Sequence, residues 1–196
     1  MKQVEITSSY EKYVEKRETD FDGTIVDIET IGDFRKVAYP PNQDQDYILR
    51  YKDMKITTVG IYGGNEIQIY IAKEMNHLDQ FQIKAIRIME HVKRPTYAFN
   101  KSFEEGCYYW NSNCTLLDVD YDLQIFVGES KKSLVSKLNI NNYDDPFFDD
   151  GGKCVDAFLL GNLQDIIRHN RSCLLKEHQI LIIRGAKEMK TEWLDI

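Results

Sequence analysis

Two acidic residues interrupt an apolar, β-branched run near the N-terminus. The run covers residues 24–33, TIVDIETIGD, and contains Asp27 and Glu29. Side chains two residues apart on a strand point the same way, so both acids project from one face. Neighbouring carboxylates repel each other and lose hydration, a penalty that a bound divalent cation offsets. The run predicts a metal site on a strand; the alternative is an edge strand whose acids face solvent.

The composition predicts one globular domain. The chain has 196 residues, 42% of them hydrophobic and 29% charged, and no Ser/Gly-rich linker divides it. No stretch approaches the ~20 apolar residues that a membrane span requires. The first sixteen residues are polar and charged, which predicts that no signal peptide is present. We therefore expect a cytoplasmic protein that does not contact a membrane.

The net charge narrows the ways in which this chain could bind nucleic acid. It is −7, from 25 basic and 32 acidic residues, which argues against binding mainly through counterion release. A metal-dependent nuclease remains possible, because its acidic cluster binds cations that carry positive charge to the phosphate. The four cysteines lack CxxC spacing and a dense framework, so free thiols are expected: Cys107, Cys114, Cys154 and Cys173.

Local patterns predict strands and helices that alternate along the chain. Apolar periodicity, turn residues and proline positions define these segments. In chain order they are a helix over 8–18, a strand over 23–29, a loop or insertion over 33–53, a hairpin over 55–71 with its turn at 63–66, a helix over 76–93, a strand over 96–100, a short basic helix over 130–138, an acidic loop over 139–152 and a helix over 158–189.

Three short motifs resemble those of a known family, in the same order. DIETIG at 27–32 resembles the first motif, D-x-E-T-x-G, of the DEDD exonucleases, the DnaQ-like branch of the ribonuclease H-like superfamily. NKSFE at 100–104 resembles the second motif, with Glu104 where those families usually have Asp. HNRSC at 169–173 is similar to the third motif, H-N-x-x-D, of the YprB-like exonucleases.

The resemblance implies a fold. It would be a single ribonuclease H-like domain of the α/β class, in its α+β form, with a mixed central sheet and flanking helices. Residues 1–22 would be an N-terminal extension and residues 33–53 a loop insertion. The predicted order of strand, hairpin, helix and strand fits this arrangement, although other α+β folds have the same order.

The resemblance also implies an activity and assigns residues to it. The activity would be hydrolysis of phosphodiester bonds in DNA or RNA, from 3′ to 5′, by a mechanism that uses two Mg²⁺ or Mn²⁺ ions. Asp27, Glu29 and Glu104 would be cation ligands, and His169 would orient or deprotonate the attacking water. The resemblance likewise implies substrate contacts at Thr30, Asn100, Lys101 and Asn170.

The third motif departs from the family at the fourth cation ligand, where Cys173 replaces Asp. A thiol is a poor ligand for Mg²⁺, so the second ion would be held weakly unless the site is rebuilt. Glu177 lies one helical turn further along the same face and is a candidate replacement; Asp165 lies on a more polar side. The alternative function is a catalytically weakened nucleic-acid-binding or scaffold protein. An unrelated α+β binding module is a third possibility.

Overall fold

The computed structural model describes residues 2–34, 49–112, 117–126 and 128–188. Eight strands in these ranges form one sheet in the order β1-β2-β5-β4-β3-β6-β7-β8. Their bounds are β1 Lys2–Ile6, β2 Tyr10–Lys16, β3 Thr24–Ile31, β4 Lys55–Gly63, β5 Glu66–Ala72, β6 Thr96–Ala98, β7 Tyr121–Asp122 and β8 Lys187–Glu188. The sheet is mixed, because β3 pairs antiparallel with β4 and parallel with β6.

Helices connect and cover these strands. Their bounds are α1 Leu78–Glu90, α2 Lys101–Asn111, α3 Lys131–Lys137, α4 Gly152–Leu159 and α5 Leu163–Arg184. The long helix α5 packs on β3, β4 and β5, and α4 packs on β3 and α5. The prediction of an α/β protein with a mixed central sheet and flanking helices is therefore confirmed. Within the described ranges, none of the helices combines the length and apolar character needed to cross a membrane.

The central hairpin forms as its sequence predicts. β4 and β5 pair antiparallel, with Gly63 opposite Glu66 at the closed end. Between them Gly64 and Asn65 have φ angles of 58° and 66°. Positive φ at both central residues belongs to the two-residue turn that matches the twist of paired strands, and Gly and Asn adopt it at low cost.

The helix predicted over 76–93 is confirmed as α1. It buries Leu78, Phe81, Ala85 and Met89, which recur at the spacing of one helical face. Gln82 lies on the same face, and its side chain bonds both backbone polar groups of Ile56 on β4. The buried amide thus joins the helix to the strand beside β3.

The helix predicted over 8–18 is wrong. These residues contribute β2, which pairs along its whole length with β5 and on its other side with β1. On β2, Tyr13 and Glu15 are both buried, and this alternation is the spacing of a strand. The open edge of β5 offers this segment backbone hydrogen bonds, and such pairing outweighs a weak local preference.

The single helix predicted over 158–189 is also wrong, since the chain turns between α4 and α5. Gly161 has a φ of 71°, a conformation that ends a helix and favours glycine. The short basic helix is confirmed as α3, and the Ser130 hydroxyl accepts a bond from Ser133 N at its start. Most of the predicted insertion, residues 35–48, lies outside the described residues.

Candidate metal centre

Strand β3 places both acids of the first motif inside the molecule. It lies between β4 and β6, and its residues from Thr24 to Thr30 are all buried. Asp27 is 4% exposed and Glu29 is 8% exposed. The alternative of a solvent-facing edge strand is therefore wrong. Both carboxylates line an open pocket of about 430 Å³ beside the sheet.

A third carboxylate reaches the same pocket from α2. This helix begins directly after β6, the parallel neighbour of β3, so Glu104 in its first turn lines the pocket that Asp27 and Glu29 also line. Glu104 is 4% exposed, and its Oε2 atom has no hydrogen-bond partner among the described residues. Buried carboxylate oxygens are almost always bonded, so this atom is suited to a ligand that the protein itself does not supply.

The charges in this cluster repel one another. Burial raises the pKa of Glu29 to about 7, with Asp27 adding to the effect and His169 opposing it. Burial, followed by the charges of Asp27 and Glu177, raises the pKa of Glu104 well above its usual range. Without added positive charge, the pocket therefore holds protons on carboxyl groups that would otherwise be ionised at neutral pH.

Cation binding should consequently depend on pH. A ligand carboxyl must lose its proton before it can hold a cation, so binding competes with the proton on Glu29 below its pKa of about 7. We expect the apparent affinity for Mn²⁺ to rise at least about tenfold per pH unit up to about pH 7. Calorimetric titration in buffers of different ionisation enthalpy measures both the affinity and the released proton. An affinity that is flat across this range would contradict the assignment of Glu29 as a ligand.

Helix α5 presents the third motif to the pocket. His169, Cys173 and Glu177 follow one another at intervals of four residues, and all three are buried. His169 Nε2 lies 3.5 Å from a Glu29 oxygen and 3.6 Å from Cys173 Sγ. His169 and Cys173 line the pocket together with the carboxylates. Residues from β3, α2 and α5 therefore converge, as the motifs predict.

Asn170 holds the key aspartate in place. Its Nδ2 donates to Asp27 Oδ2 at 2.7 Å and to the Asp27 backbone oxygen at 3.3 Å. This close contact requires glycine at position 60, because a Cβ there would lie 2.0 Å from Asn170 Oδ1. Asn170 is completely buried, so the structure gives it a positioning role and does not place it at the substrate-accessible surface.

Lys131, which the sequence reasoning missed, adds an internal cation. Its Nζ atom lies 2.8 Å from Asp27 Oδ1 and 2.5 Å from Glu177 Oε1. Burial opposes the charged ammonium, but Asp27, Cys173 and Glu177 raise the pKa of Lys131 well above its usual range. Glu177, predicted as a replacement metal ligand, is thus already paired. The only sequence signal was the basic character of the segment that forms α3.

A second group of buried charged residues contacts the Nδ1 side of the His169 ring. Its Nδ1 lies 2.7 Å from Asp145 Oδ1, while Lys176 Nζ lies 2.7 Å from the other Asp145 oxygen and 2.7 Å from Asp149. The pKa of Asp145 is well below its usual range, because bonds to His169 and Lys176 outweigh the effect of burial. The sequence predicts only an acidic loop here, and a lysine on the inward face of α5 is the one sequence signal of this group.

The other predicted substrate contacts divide into two groups. Thr30 and Asn100 line the pocket. Lys101 does not, because its buried side chain lies 3.2 Å from Asp118 and 3.5 Å from Glu105. Its predicted contact with substrate therefore finds no support in this arrangement.

Comparisons with known proteins were made with models of protein families, with curated proteins and with solved structures. No family model, curated protein or solved structure matches this chain. These comparisons show no family. The residues of the pocket are therefore the basis for inferring the function.

Proposed function

We propose that this protein is a phosphodiester hydrolase that uses divalent cations to cleave DNA or RNA. The observation that carries the proposal is the meeting of Asp27, Glu29 and Glu104 in one pocket, with a buried Glu104 oxygen left without a partner. Three carboxylates brought together from β3 and α2 repel one another. Such an arrangement is costly in a protein unless a cation joins it.

The donor atoms fit a hard divalent cation. Asp27, Glu29 and Glu104 would hold Mg²⁺ or Mn²⁺, since both ions prefer carboxylate oxygen. When bound between such ligands, these ions supply an activated water molecule and neutralise charge on a phosphate. Around them, Asn170 fixes the orientation of Asp27 through its bond to Oδ2.

The order of the strands supports the ribonuclease H-like fold as part of this proposal. Reading across the sheet, β5, β4 and β3 are antiparallel neighbours, while β6 and then β7 continue parallel to β3. The first acidic pair lies on the strand where the two halves meet. β1 and β2 extend the β5 edge, and they account for most of the N-terminal extension.

His169 can hold or transfer a proton at Nε2. Asp145 fixes the ring through Nδ1, so Nε2 faces Glu29. Burial opposes the charged ring, but Cys173, Glu29 and Asp145 raise the pKa of His169 well above its usual range. The charged ring cannot accept a proton, so its proposed role as general base requires the neutral form, which added positive charge in the pocket favours.

Aromatic side chains at the pocket fit a nucleobase. Phe34 and Phe103 both line the pocket, and Phe34 is 49% exposed. Their rings lie 6.2 Å apart, and the Arg50 guanidinium lies 5.0 Å from the centre of the Phe34 ring. Exposed aromatic rings with a neighbouring cation bind single-stranded nucleic acid by stacking.

Replacing Phe34 should therefore weaken substrate binding. One stacked base is worth about 1–3 kcal/mol, so we expect Phe34→Ala to raise the dissociation constant for single-stranded oligonucleotides by roughly 5- to 150-fold. The matched control is Phe126→Ala, since Phe126 is 66% exposed but does not line the pocket. Fluorescence anisotropy in Ca²⁺ measures binding without cleavage. Equal losses in both variants would remove the stacking role of Phe34.

The activity itself is tested with purified protein and end-labelled oligonucleotides of single-stranded and duplex DNA and RNA. We expect cleavage with Mg²⁺ or Mn²⁺, no cleavage after chelation, and recovery when the cation is restored. A label at each end separates stepwise removal from the 3′ end from internal cleavage. If all four substrates remain intact with both cations, the hydrolase proposal is wrong.

One observation favours a second candidate, a protein that binds nucleic acid without cleaving it. The Lys131 ammonium already lies between Asp27 and Glu177, where it neutralises part of the charge that a metal would neutralise. If Lys131 replaces a catalytic cation, the pocket can bind a phosphate without activating water. Oligonucleotide binding without cleavage in either cation would favour this candidate.

A further inference from the structure

Two thiols and an imidazole meet at one side of the candidate metal centre. Cys154 on α4, His169 on α5 and Glu29 on β3 each provide a ligand atom, and these atoms lie within 4.8 Å of one another. Cys173 Sγ lies 3.6 Å from His169 Nε2 and also within 4.8 Å of the Glu29 and Asp27 carboxylates. All five residues are buried.

The surroundings of these thiols are polar. Buried cysteines usually pack as small apolar side chains. Here Cys154 interacts with Glu29 and His169, and Cys173 interacts with His169. Simple apolar packing does not explain why two cysteines from different helices point at the same imidazole.

Two separations from His169 Nε2 match those expected between ligand atoms in the coordination shell of zinc. Zinc–sulfur bonds of about 2.3 Å and zinc–nitrogen bonds of about 2.0 Å at tetrahedral angles separate S and N by roughly 3.6 Å, and N and O by roughly 3.4 Å. The observed separations are 3.6 Å from Cys173 Sγ to His169 Nε2 and 3.5 Å from His169 Nε2 to Glu29 Oε1.

The interaction of His169 Nδ1 with a carboxylate is also typical of a zinc site. Histidine ligands commonly donate their second N–H to a carboxylate, which fixes the ring and its tautomer. His169 has this arrangement, because Nδ1 lies 2.7 Å from Asp145 Oδ1 while Nε2 faces the thiols. Lys176 and the backbone N–H groups of Phe147 and Asp149 hold Asp145 in turn.

We propose that this side of the candidate metal centre binds one thiophilic cation, Zn²⁺ or an ion of similar chemistry, through Cys154, Cys173, His169 and Glu29. The inference rests on the proposed function in that it makes Glu29 a ligand shared with the hard cation held by Asp27 and Glu104. With the thiophilic cation bound, His169 Nε2 is a ligand and does not serve as the general base. Cys173 is then a ligand matched to a different metal. Position 173, where the family motif has Asp, would then bind a softer ion together with Cys154.

The test is titration of the full chain with Co²⁺, a spectroscopic substitute for Zn²⁺, followed by competition with Zn²⁺. Thiolate ligands give Co²⁺ an intense charge-transfer absorption that oxygen ligands do not give. We expect this band at one equivalent of Co²⁺, with its loss on addition of one equivalent of Zn²⁺. A spectrum without the thiolate band, in protein whose thiols are shown to be reduced, would overturn the proposal.

Single replacements identify the ligands. Cys154→Ser and Cys173→Ser should each weaken Zn²⁺ binding at least about 100-fold and reduce the charge-transfer band, because serine is a poor ligand for this ion. The matched control is the double variant Cys107→Ser with Cys114→Ser, which removes the other two cysteines of the chain and should retain the band. Circular dichroism confirms that each variant is folded, and Cys→Ala replacements serve where serine prevents folding. Zn²⁺ binding that survives loss of both Cys154 and Cys173 would contradict the assignment.

Failure of this inference can be separated from failure of the hydrolase proposal. Cleavage with Mg²⁺ or Mn²⁺ but no thiolate band would leave the hydrolase and overturn the zinc site. A thiolate band without cleavage in any cation would leave the zinc site and overturn the hydrolase proposal. Cys173→Asp provides a further readout, because it should decrease Zn²⁺ affinity and increase Mn²⁺ affinity, whereas Zn²⁺ affinity that is unchanged in this variant would contradict a role for the thiol.

Discussion

Asp27→Asn should abolish cation-dependent cleavage, with a loss of at least about 10²-fold. Asp27 lies on the central strand, and it is held by Asn170 on one oxygen and faces Lys131 with the other. Removal of its charge takes away a ligand at the centre of the carboxylate cluster. Steady-state cleavage with Mg²⁺ and with Mn²⁺ measures the effect.

The same change should leave the protein folded. The charge of Asp27 raises the pKa of both Glu104 and Glu177, so its removal lessens repulsion within the pocket. Lys131 would keep Glu177 as a charged partner, so thermal unfolding in the absence of cations should still show a folded protein with a cooperative transition. The control is Asp22→Asn, an exposed carboxylate just before the same strand. Full activity in Asp27→Asn would contradict the assignment of the site.

Asp145→Asn should destabilise the protein by about 3 kcal/mol, because removal of one partner leaves buried charges incompletely compensated. Asp145 is 1% exposed and bonds His169, Lys176 and two backbone N–H groups. Lys176 is completely buried and, within the described ranges, would keep only Asp149 as a charged partner. Urea unfolding with and without the substitution measures the difference.

The neighbouring Asp144→Asn is the matched control. Asp144 is exposed and has a φ of 63°, which asparagine adopts readily, so we expect a change within about 0.5 kcal/mol. The effect at Asp145 should also depend on pH. Because its folded-state pKa is lowered, its contribution is present above the unfolded value of about 3.9 and is lost as the pH falls through the folded value. A difference that persists unchanged in strong acid would contradict this explanation.

Where local pattern determines structure, the sequence predicts the fold well. The β-branched run of β3, the Gly-Asn turn of the hairpin and the apolar face of α1 are all local features, and all three form as predicted. The sequence predicts a helix in place of β2, because the edge of β5 that stabilises this strand lies fifty or more residues away in sequence. Tertiary pairing of this kind leaves no local signal.

The candidate site is likewise predictable from the sequence only in part. Asp27, Glu29, Glu104, His169 and Cys173 stand in recognisable motifs, and the fold brings them to one pocket. The sequence did not identify Lys131, Asp145 and Cys154, because each contacts the motif residues from a separate short helix or loop. Lys101 shows the converse, since it stands inside a motif but pairs with Glu105 and Asp118 away from the pocket. Motif membership alone does not determine where a side chain points.

A crystal structure of the protein soaked in Mn²⁺, with anomalous diffraction to locate the ion, tests whether the three carboxylates bind a divalent cation. We expect an anomalous peak among Asp27, Glu29 and Glu104, with carboxylate oxygens at roughly 2.1–2.6 Å and Glu104 Oε2 among the ligands. A crystal with no peak in the pocket, Lys131 still bonded to Asp27, and the Glu104 oxygen still without a partner would contradict it.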